Sequence, residues 1–411
     1  MDEARSRQVV IAGAGIAGLT SALALAARGC AVTVLEQARQ LEAAGAGLQL
    51  SPNATRILRR LGVLDRLAVS AVRPEAVALK DAATLRELAR VPLGQAGENR
   101  WGAPYLVAHR ADLQAALTTR VAEHPEIQLI TGAQVTDIAV APQNIVVTAQ
   151  RDGGSMEAAG GLLVGADGVW SSVRSQLAGR EPAFRKSRFS GELAWRATVA
   201  AESAAGQAFA AIGAADCVTT FLHPGFHMVA YPVSKGSAFN LAAFTKGERI
   251  AEGWSGHADP AILASSMRGT SAALARLAAL AGPWTAFPIH TVEQRRWTMP
   301  EGVALIGDAA HAMTPFAAQG AAMGIEDAET LAGLVADSPA DLGQSLTIWE
   351  NVRRPRIEKV LKRGALNRLA WHAWGPVAIA RNLVLATRPA EKLAADLDWL
   401  YGWEERKVVR R

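Results

Sequence analysis

Three clusters of glycine and acidic residues stand far apart in the chain: Gly13-Ala14-Gly15-Ile16-Ala17-Gly18, Gly165-Ala166-Asp167-Gly168 and Gly307-Asp308. In the first, the three glycines let the chain turn sharply, bring its backbone against a pyrophosphate and pack a helix closely on a strand. The N–H groups that open that helix face the negative charge. Glu36 follows at roughly the 20-residue spacing at which a carboxylate accepts hydrogen bonds from an adenosine ribose, and it disfavours a ribose 2′-phosphate. The chemistry these residues support is dinucleotide binding. The first cluster alone does not separate NAD from FAD.

The elements that must position these turns follow from hydrophobic patterning. Residues 8–12 read as a buried parallel strand, Ala17 to Arg28 as an alanine-rich helix ended by Gly29, and Ala31 to Leu35 as the next strand, which together make a right-handed βαβ unit. Ser51 and Pro52 suit the N-cap and first turn of a helix carrying Ile57, Leu58, Leu61 and Leu64. Ala111 to Ala122 reads as a helix; Ile127–Ile130, Val135–Val140 and Ile145–Thr148 read as a strand-rich insertion with Gly or Pro-Gln-Asn turns. Leu162–Val164 is a short strand that runs into the second cluster, with a helix from Ser171. Between about Pro182 and Ala286 the pattern is one of alternating strands, including Leu193–Val199, Cys217–Leu222, His227–Pro232 and Ala238–Phe244. Val303–Ile306 returns to buried-strand character, followed by Gly307-Asp308 and a long helix to about Ala336. Beyond Leu342 a helical tail rich in Arg and Trp (Trp349, Trp371, Trp374, Trp399, Trp403) is expected to pack on the body.

At 411 residues the chain exceeds the usual size of one hydrophobic core, so two lobes and a tail are expected. Arg5 and Arg7 before an apolar stretch resemble a secretory signal, but the glycines at 13, 15 and 18 explain that stretch better. No uncharged apolar run reaches spanning length, so no stable membrane insertion is expected. Cys30 and Cys217 supply neither a disulfide framework nor metal-ligand spacing, which suits a cytoplasmic protein without a metal. The net charge of +5, without a long basic block, argues against nucleic-acid binding and fits an acidic substrate or anionic cofactor.

The second cluster extends as Gly165-Ala166-Asp167-Gly168-Val169-Trp170-Ser171-Ser172-Val173-Arg174 and resembles the DG motif of flavoprotein hydroxylases; Gly307-Asp308-Ala309-Ala310-His311 resembles their GD motif. Gly47-Leu48-Gln49-Leu50-Ser51-Pro52-Asn53-Ala54, His109-Arg110-Ala111-Asp112-Leu113, Pro315-Phe316-Ala317-Ala318-Gln319-Gly320 and Trp399-Leu400-Tyr401-Gly402-Trp403 resemble further signatures of that group, in the same order. Through almost its whole length the chain resembles the single-component FAD-dependent aromatic hydroxylases, such as salicylate hydroxylase and 3-hydroxybenzoate 6-hydroxylase. Neither a second GxGxxG after a strand nor a CxxC pair is present, against a disulfide reductase, and the WxWxIP segment of halogenases is missing.

The resemblance implies an α/β fold with α+β character: a Rossmann-like FAD-binding domain, a β-sheet substrate domain as in para-hydroxybenzoate hydroxylase, and a C-terminal helical tail. It divides the chain into a discontinuous FAD domain (1–73, 100–181 and 287–340), a substrate domain (74–99 and 182–286) and a tail (341–411). FAD contacts are expected from Gly13, Ala14, Gly15, Ile16, Ala17, Gly18, Glu36, Gln37, Leu48, Arg110, Val135, Asp167, Asp308, Gly320, Ala321 and Ala322. With NADH or NADPH as co-substrate and dioxygen, the implied reaction is hydroxylation of a small aromatic compound through a flavin hydroperoxide. Arg196 matches a strand residue facing the active site and suits a substrate carboxylate; otherwise it forms a surface salt bridge. His227 matches a histidine placed to deprotonate or orient a phenol, and with Arg196 and Tyr231 it completes the expected catalytic set. His311 is expected near the FAD phosphates rather than in catalysis. Pro315-Phe316 departs from relatives that carry a polar or basic residue there, since a phenyl ring moves no proton. A non-oxygenating FAD oxidoreductase and a nucleotide-binding regulator are the alternatives, and a monomer or homodimer is expected.

Overall fold

The computed structural model describes residues 8–41, 46–141, 144–179, 181, 183–248, 259–293, 295–337 and 341–404. Arg5, Arg7, the turn residues Pro142 and Gln143 and the boundary residue Pro182 lie outside the described residues.

Six short strands form one sheet in the spatial order Thr298–Met299, Val303–Leu305, Leu162–Gly165, Gln8–Ala12, Ala31–Glu36 and Ile127–Thr131. Every neighbouring pair is parallel except the first. Parallel strands are buried on both faces, which is why these segments read as continuous apolar runs rather than alternations. The chain leaves Gln8–Ala12 toward one edge and returns at Leu162–Gly165 on its other side, so the strand order reverses between these two strands. Ligands of open α/β sheets bind outside the carboxyl ends of the strands at such a reversal. The first two glycine clusters begin there.

The helix Ile16–Ala26 that follows the first strand is buried at ten of its eleven positions. Its closeness depends on Gly18, where a Cβ would lie 1.9 Å from the Gly13 carbonyl oxygen. Ile127–Thr131, expected in the strand-rich insertion, instead extends this sheet by pairing with Ala31–Glu36. The insertion proper is the three-stranded sheet Gln134–Ala141, Asn144–Arg151 and Gly154–Gly160.

Seven strands form the second large sheet, ordered Thr285–Thr291, Arg188–Ala200, Ala238–Lys246, Phe226–Val233, Val218–His223, Ala76–Asp81 and Glu87–Pro92. Thr285–Thr291 thus completes this sheet, although most of it falls beyond the boundary read at residue 286. Three helices that the strand pattern did not announce, Ala204–Ile212, Pro260–Ser266 and Ala272–Leu280, supply residues that pack with one face of the sheet around Trp195, Phe209, Phe221 and Met228. All eight residues of Phe226–Val233 are buried, with Phe226, Met228 and Ala230 toward the helices and Val229 and Tyr231 toward a cavity on the other face.

Two long helices expected from the sequence are broken. Gly62, at φ +73°, separates Pro52–Arg60 from Leu64–Ala68, because a left-handed residue ends a helical run. After Gly307 the chain forms Asp308–His311, a 3-10 turn Pro315–Ala317 and then Gly320–Asp337. Pro315 forces that interruption, since the residue before a proline is driven to extended backbone and Thr314 has ψ 148°. Ser51 holds the N-cap position of Pro52–Arg60, but its hydroxyl donates to Asn53 Oδ1 at 2.6 Å and does not cap the helix.

In the tail, Leu342–Trp371 packs through Leu346, Trp349, Ile357 and Val360. The expected packing of the tail does not extend to Gly375–Thr387, which has no buried residue; Ile379 and Leu383 are 71% and 65% exposed, and Trp374 just before it 74%. Among the described residues no helix is long and apolar enough to cross a membrane.

Candidate active site

The three glycine-acid turns meet in space. A Cβ on Gly13, which sits at φ +99°, would lie 2.6 Å from the Ala166 carbonyl oxygen and 2.9 Å from the Asp167 Cα. At Gly307 it would lie 3.2 Å from Ala17, and at Gly320 4.0 Å from Asp308 Oδ1. In front of the helix N-terminus the space is open: a Cβ on Gly15 would meet nothing within 4 Å. Asp167 Oδ2 accepts from Ser172 and the Val173 amide, while its buried Oδ1 has no hydrogen-bond partner. An open cradle before a helix N-terminus, an orphaned carboxylate oxygen and an exposed Asp308 beside a second helix start together fit a pyrophosphate-linked dinucleotide.

Glu36 is tied to the same turn. Its Oε2 accepts the Ala14 amide at 2.7 Å and its Oε1 the Ala38 amide at 2.9 Å. Each oxygen keeps a second lone pair for the ribose hydroxyls expected there. Gln37 is exposed beside it, and Val135 lies in the adjoining loop and strand, whose Ala133 amide donates to the Glu36 carbonyl at 2.8 Å. The Val135 side chain itself is core, 8% exposed.

From this junction a cavity of about 430 Å³ opens between the glycine turns and the seven-stranded sheet. Leu48, Arg110, Asp308, Gly320 and Ala321 line it on the side of the glycine turns, with Ala322 buried just behind. Across from them stand Arg196, Tyr231, Asn240 and Phe244 of the seven-stranded sheet, then Phe316 and Trp371. Arg196 stacks its guanidinium 4.7 Å from the Phe287 ring centroid and makes no ion pair among the described residues, so the surface salt bridge considered from sequence does not form. Burial, with Arg110 nearby, lowers its pKa although the neighbouring Tyr231 pulls the other way. Burial also holds the Tyr231 phenol well above its ordinary pKa. Asn240 accepts the Gly47 amide at 2.8 Å and thereby fixes the strand that carries Leu48.

His227 corrects the sequence expectation. It is fully buried and does not line the cavity, because Phe244, Phe316 and Trp371 close around its ring at centroid distances of 4.6, 4.8 and 5.0 Å. Its Nδ1 lies 3.1 Å from His372 Nε2, and its own Nε2 has no partner. A residue sealed in this way cannot meet a phenol directly. His227 lies on the same side of its strand as Val229 and Tyr231, which line the cavity; what the sequence could not show was the aromatic lid. His290, Trp170, Gln49, Asn240, Arg363 and Asn367 line the cavity and were not singled out. For Arg363, Asn367 and Trp371 the four-residue spacing on one helix was the available signal.

Behind the third turn runs a buried ionic network. Arg353, wholly buried, donates from Nε to Asp327 Oδ1 at 2.8 Å and from Nη1 to Glu326 Oε2 at 2.7 Å, and Arg356 reaches Glu326 Oε1 at 2.8 Å. Asp327 Oδ2 in turn accepts the Gly307 amide at 2.9 Å and faces His311 Nε2 at 2.6 Å. His311 is therefore a brace of the turn. Burial alone would raise the Asp327 pKa, but His311, Arg353 and the Gly307 amide outweigh it and hold the group at about 2.

These shifts set an acid response. His372 is lowered from 6.5 to about 4 by burial and then by Arg368, with Lys246 and His223 adding to the same effect, and His227 is lowered by burial and by His372. In each case the unfolded chain takes up the proton first, so stability is complete above the unfolded value and declines as pH falls toward the folded one. We expect the unfolding free energy to drop between pH 6.5 and about 4 from the histidine pair, and again from 3.8 toward about 2 from Asp327. Urea unfolding at graded pH checks this: the H227Q/H372Q variant should have a shallower upper step, and an unchanged slope would count against the assignment.

A mostly parallel sheet with three converging glycine-acid turns, joined through a cavity to a seven-stranded sheet, has the architecture of the FAD-dependent flavoprotein monooxygenases. The chain belongs to the FAD binding domain family, whose model matches residues 6–363. It is 34% identical over 409 residues to a 3-amino-4-hydroxybenzoate 2-monooxygenase of Streptomyces platensis, covering 98% of each chain. To a 3-hydroxybenzoate 6-hydroxylase of Klebsiella oxytoca it is 30% identical, again over 98% of both chains. Among solved structures, a salicylate hydroxylase substrate complex shares the fold with a TM-score of 0.78 at 23% identity, covering 98% of this chain and 97% of that one. The protein is thus an enzyme of the aromatic-hydroxylase class with FAD as cofactor. The non-oxygenating and regulatory alternatives find no support in these relatives.

Proposed function

We propose that this enzyme hydroxylates a small aromatic carboxylate of the hydroxybenzoate or heteroaromatic-acid type, bound in the cavity against the seven-stranded sheet. The observation that carries this reading is Arg196: a guanidinium on the cavity wall, stacked on Phe287 and without an ion-pair partner among the described residues. A planar guanidinium pairs with a carboxylate through two parallel hydrogen bonds. Tyr231 and Asn240 stand beside it as hydrogen-bonding groups, while Ala194, Val229, Phe244, Phe316 and Trp371 give a flat ring an apolar surface. Relatives that act on 3-amino-4-hydroxybenzoate and 3-hydroxybenzoate, by their names, support the same substrate class.

Gly13 to Gly18, Glu36, Gln37, Leu48, Arg110, Val135, Asp167, Asp308 and Gly320 to Ala322 are the residues assigned to holding FAD. When bound, FAD supplies the redox chemistry that draws electrons from NAD(P)H and activates dioxygen. The protein's own part is positioning and exclusion of water. Arg196 fixes the carboxylate end of the ring, and the aromatic wall keeps bulk water from the opposite face. Phe316 fills the position where a base would stand, so no side chain there takes the phenol proton; His227 acts by holding Phe316 and Trp371 in place.

Screening aromatic acids for accelerated NADH or NADPH consumption, with the product identified by mass, tests the proposal. Hydroxybenzoates are expected to stimulate turnover and gain one oxygen. Stimulation by neutral phenols alone would contradict the carboxylate requirement.

A further inference from the structure

The helix Leu342–Trp371 carries an arginine whose surroundings differ from those of its neighbours. Arg353 and Arg356 pair with Glu326, Arg353 also with Asp327, Arg354 with Glu350, and Arg368 with Glu192. Arg363 has no ion pair among the described residues, and its buried Nε has no acceptor. It lines the cavity together with Asn367 and Trp371, one and two turns further along the same helix face. Asn367 Nδ2 donates to the Phe316 carbonyl at 2.9 Å, which anchors this face to the cavity wall. Tyr401 stands beside the Arg363 guanidinium, and Tyr105, edge-on to Tyr401, donates to Gln49 Oε1 at 2.7 Å. The neighbours of Arg196 are instead Tyr231 and Arg110. The two guanidinium groups therefore mark different parts of one cavity.

Charge balance points the same way. Apart from Arg110, which is assigned to FAD, the cavity wall holds Arg196 and Arg363 against a single carboxylate, Asp308. A cation facing a cavity without an acid is costly unless a ligand supplies the counter-charge. We infer that Arg363 forms a second anion subsite, which takes an anionic oxygen of the aromatic substrate remote from the carboxylate held by Arg196. That oxygen is either a phenolate or a second carboxylate. The inference rests on the proposed binding of an aromatic acid at Arg196, and the experiment separates the two.

The holoenzyme is titrated with benzoate, 3-hydroxybenzoate, 4-hydroxybenzoate, isophthalate and terephthalate, with Kd read from the flavin absorbance change. A charge-assisted hydrogen bond stabilises by about 1.5–3 kcal/mol, so the preferred two-acceptor ligand should bind at least about tenfold tighter than benzoate. Preference among the hydroxybenzoates assigns the subsite to a phenolate, and preference among the phthalates to a carboxylate. In R363Q that margin should vanish while the benzoate Kd stays within about twofold, and R363K should restore part of it. An unchanged flavin spectrum and melting temperature in R363Q show that the fold is intact. A margin that persists in R363Q, or no margin in the parent enzyme for any of these ligands, overturns the inference. If R196M leaves benzoate binding unaltered, it is the Arg196 reading that fails.

Discussion

Replacing Arg196 by methionine is expected to raise the Kd for aromatic carboxylates by roughly 30- to 5,000-fold, about 2–5 kcal/mol, as for truncation of one partner in a buried charge pair. Methionine keeps much of the stem that packs along the strand, so FAD content and melting temperature should hardly move. The size of the effect follows from the site. The guanidinium is confined between Tyr231, Arg110 and the Phe287 ring. A ligand carboxylate that loses it is left in a poorly solvated cavity without a counter-charge. Binding by flavin absorbance and steady-state KM for the best substrate should shift together. An unchanged Kd would place the carboxylate elsewhere.

The Arg353→Met substitution should cost the fold about 3–5 kcal/mol, because it strands buried carboxylates that the guanidinium now neutralises. Glu326 keeps Arg356 and Asn53, but Asp327 is left with His311 and the Gly307 amide. Urea unfolding reads the loss directly. Since Asp327 braces the turn that presents Asp308, FAD release should also accelerate. Adding D327N and E326Q to the variant removes the stranded charges and should restore part of the stability, because an apolar or neutral replacement of a buried ion pair is far less costly than half of one. A single variant as stable as the parent would show that the network contributes nothing.

Much of the cofactor half was legible in the sequence because its signals are local. A glycine that must adopt φ +99° against Ala166, or leave a 1.9 Å gap to a backbone oxygen, permits no other residue, and so the turn announces itself. The parallel strands likewise read as apolar runs. Boundaries that depend on packing were less visible: Gly62 and Pro315 cut helices that periodicity would have continued. On the substrate side the cavity is assembled from distant segments. Phe226–Val233 is buried on both faces, so alternation could not say which side carried the site. His227 was placed on the correct strand, but its isolation depends on Phe316 and Trp371, the latter 144 positions away along the chain. The exposed apolar face of Gly375–Thr387 has the composition of a packed helix and no local feature that tells it apart.

The destination of the oxygen atom separates a hydroxylase from every other use of the same fold. Holoenzyme supplied with isotope-labelled dioxygen, NADH or NADPH and its preferred aromatic acid should release a ring-hydroxylated product carrying one labelled atom per nucleotide oxidised. The R196M enzyme should lose that coupling. A product whose new oxygen comes from water, or nucleotide oxidation that yields only hydrogen peroxide with every aromatic acid, would contradict it.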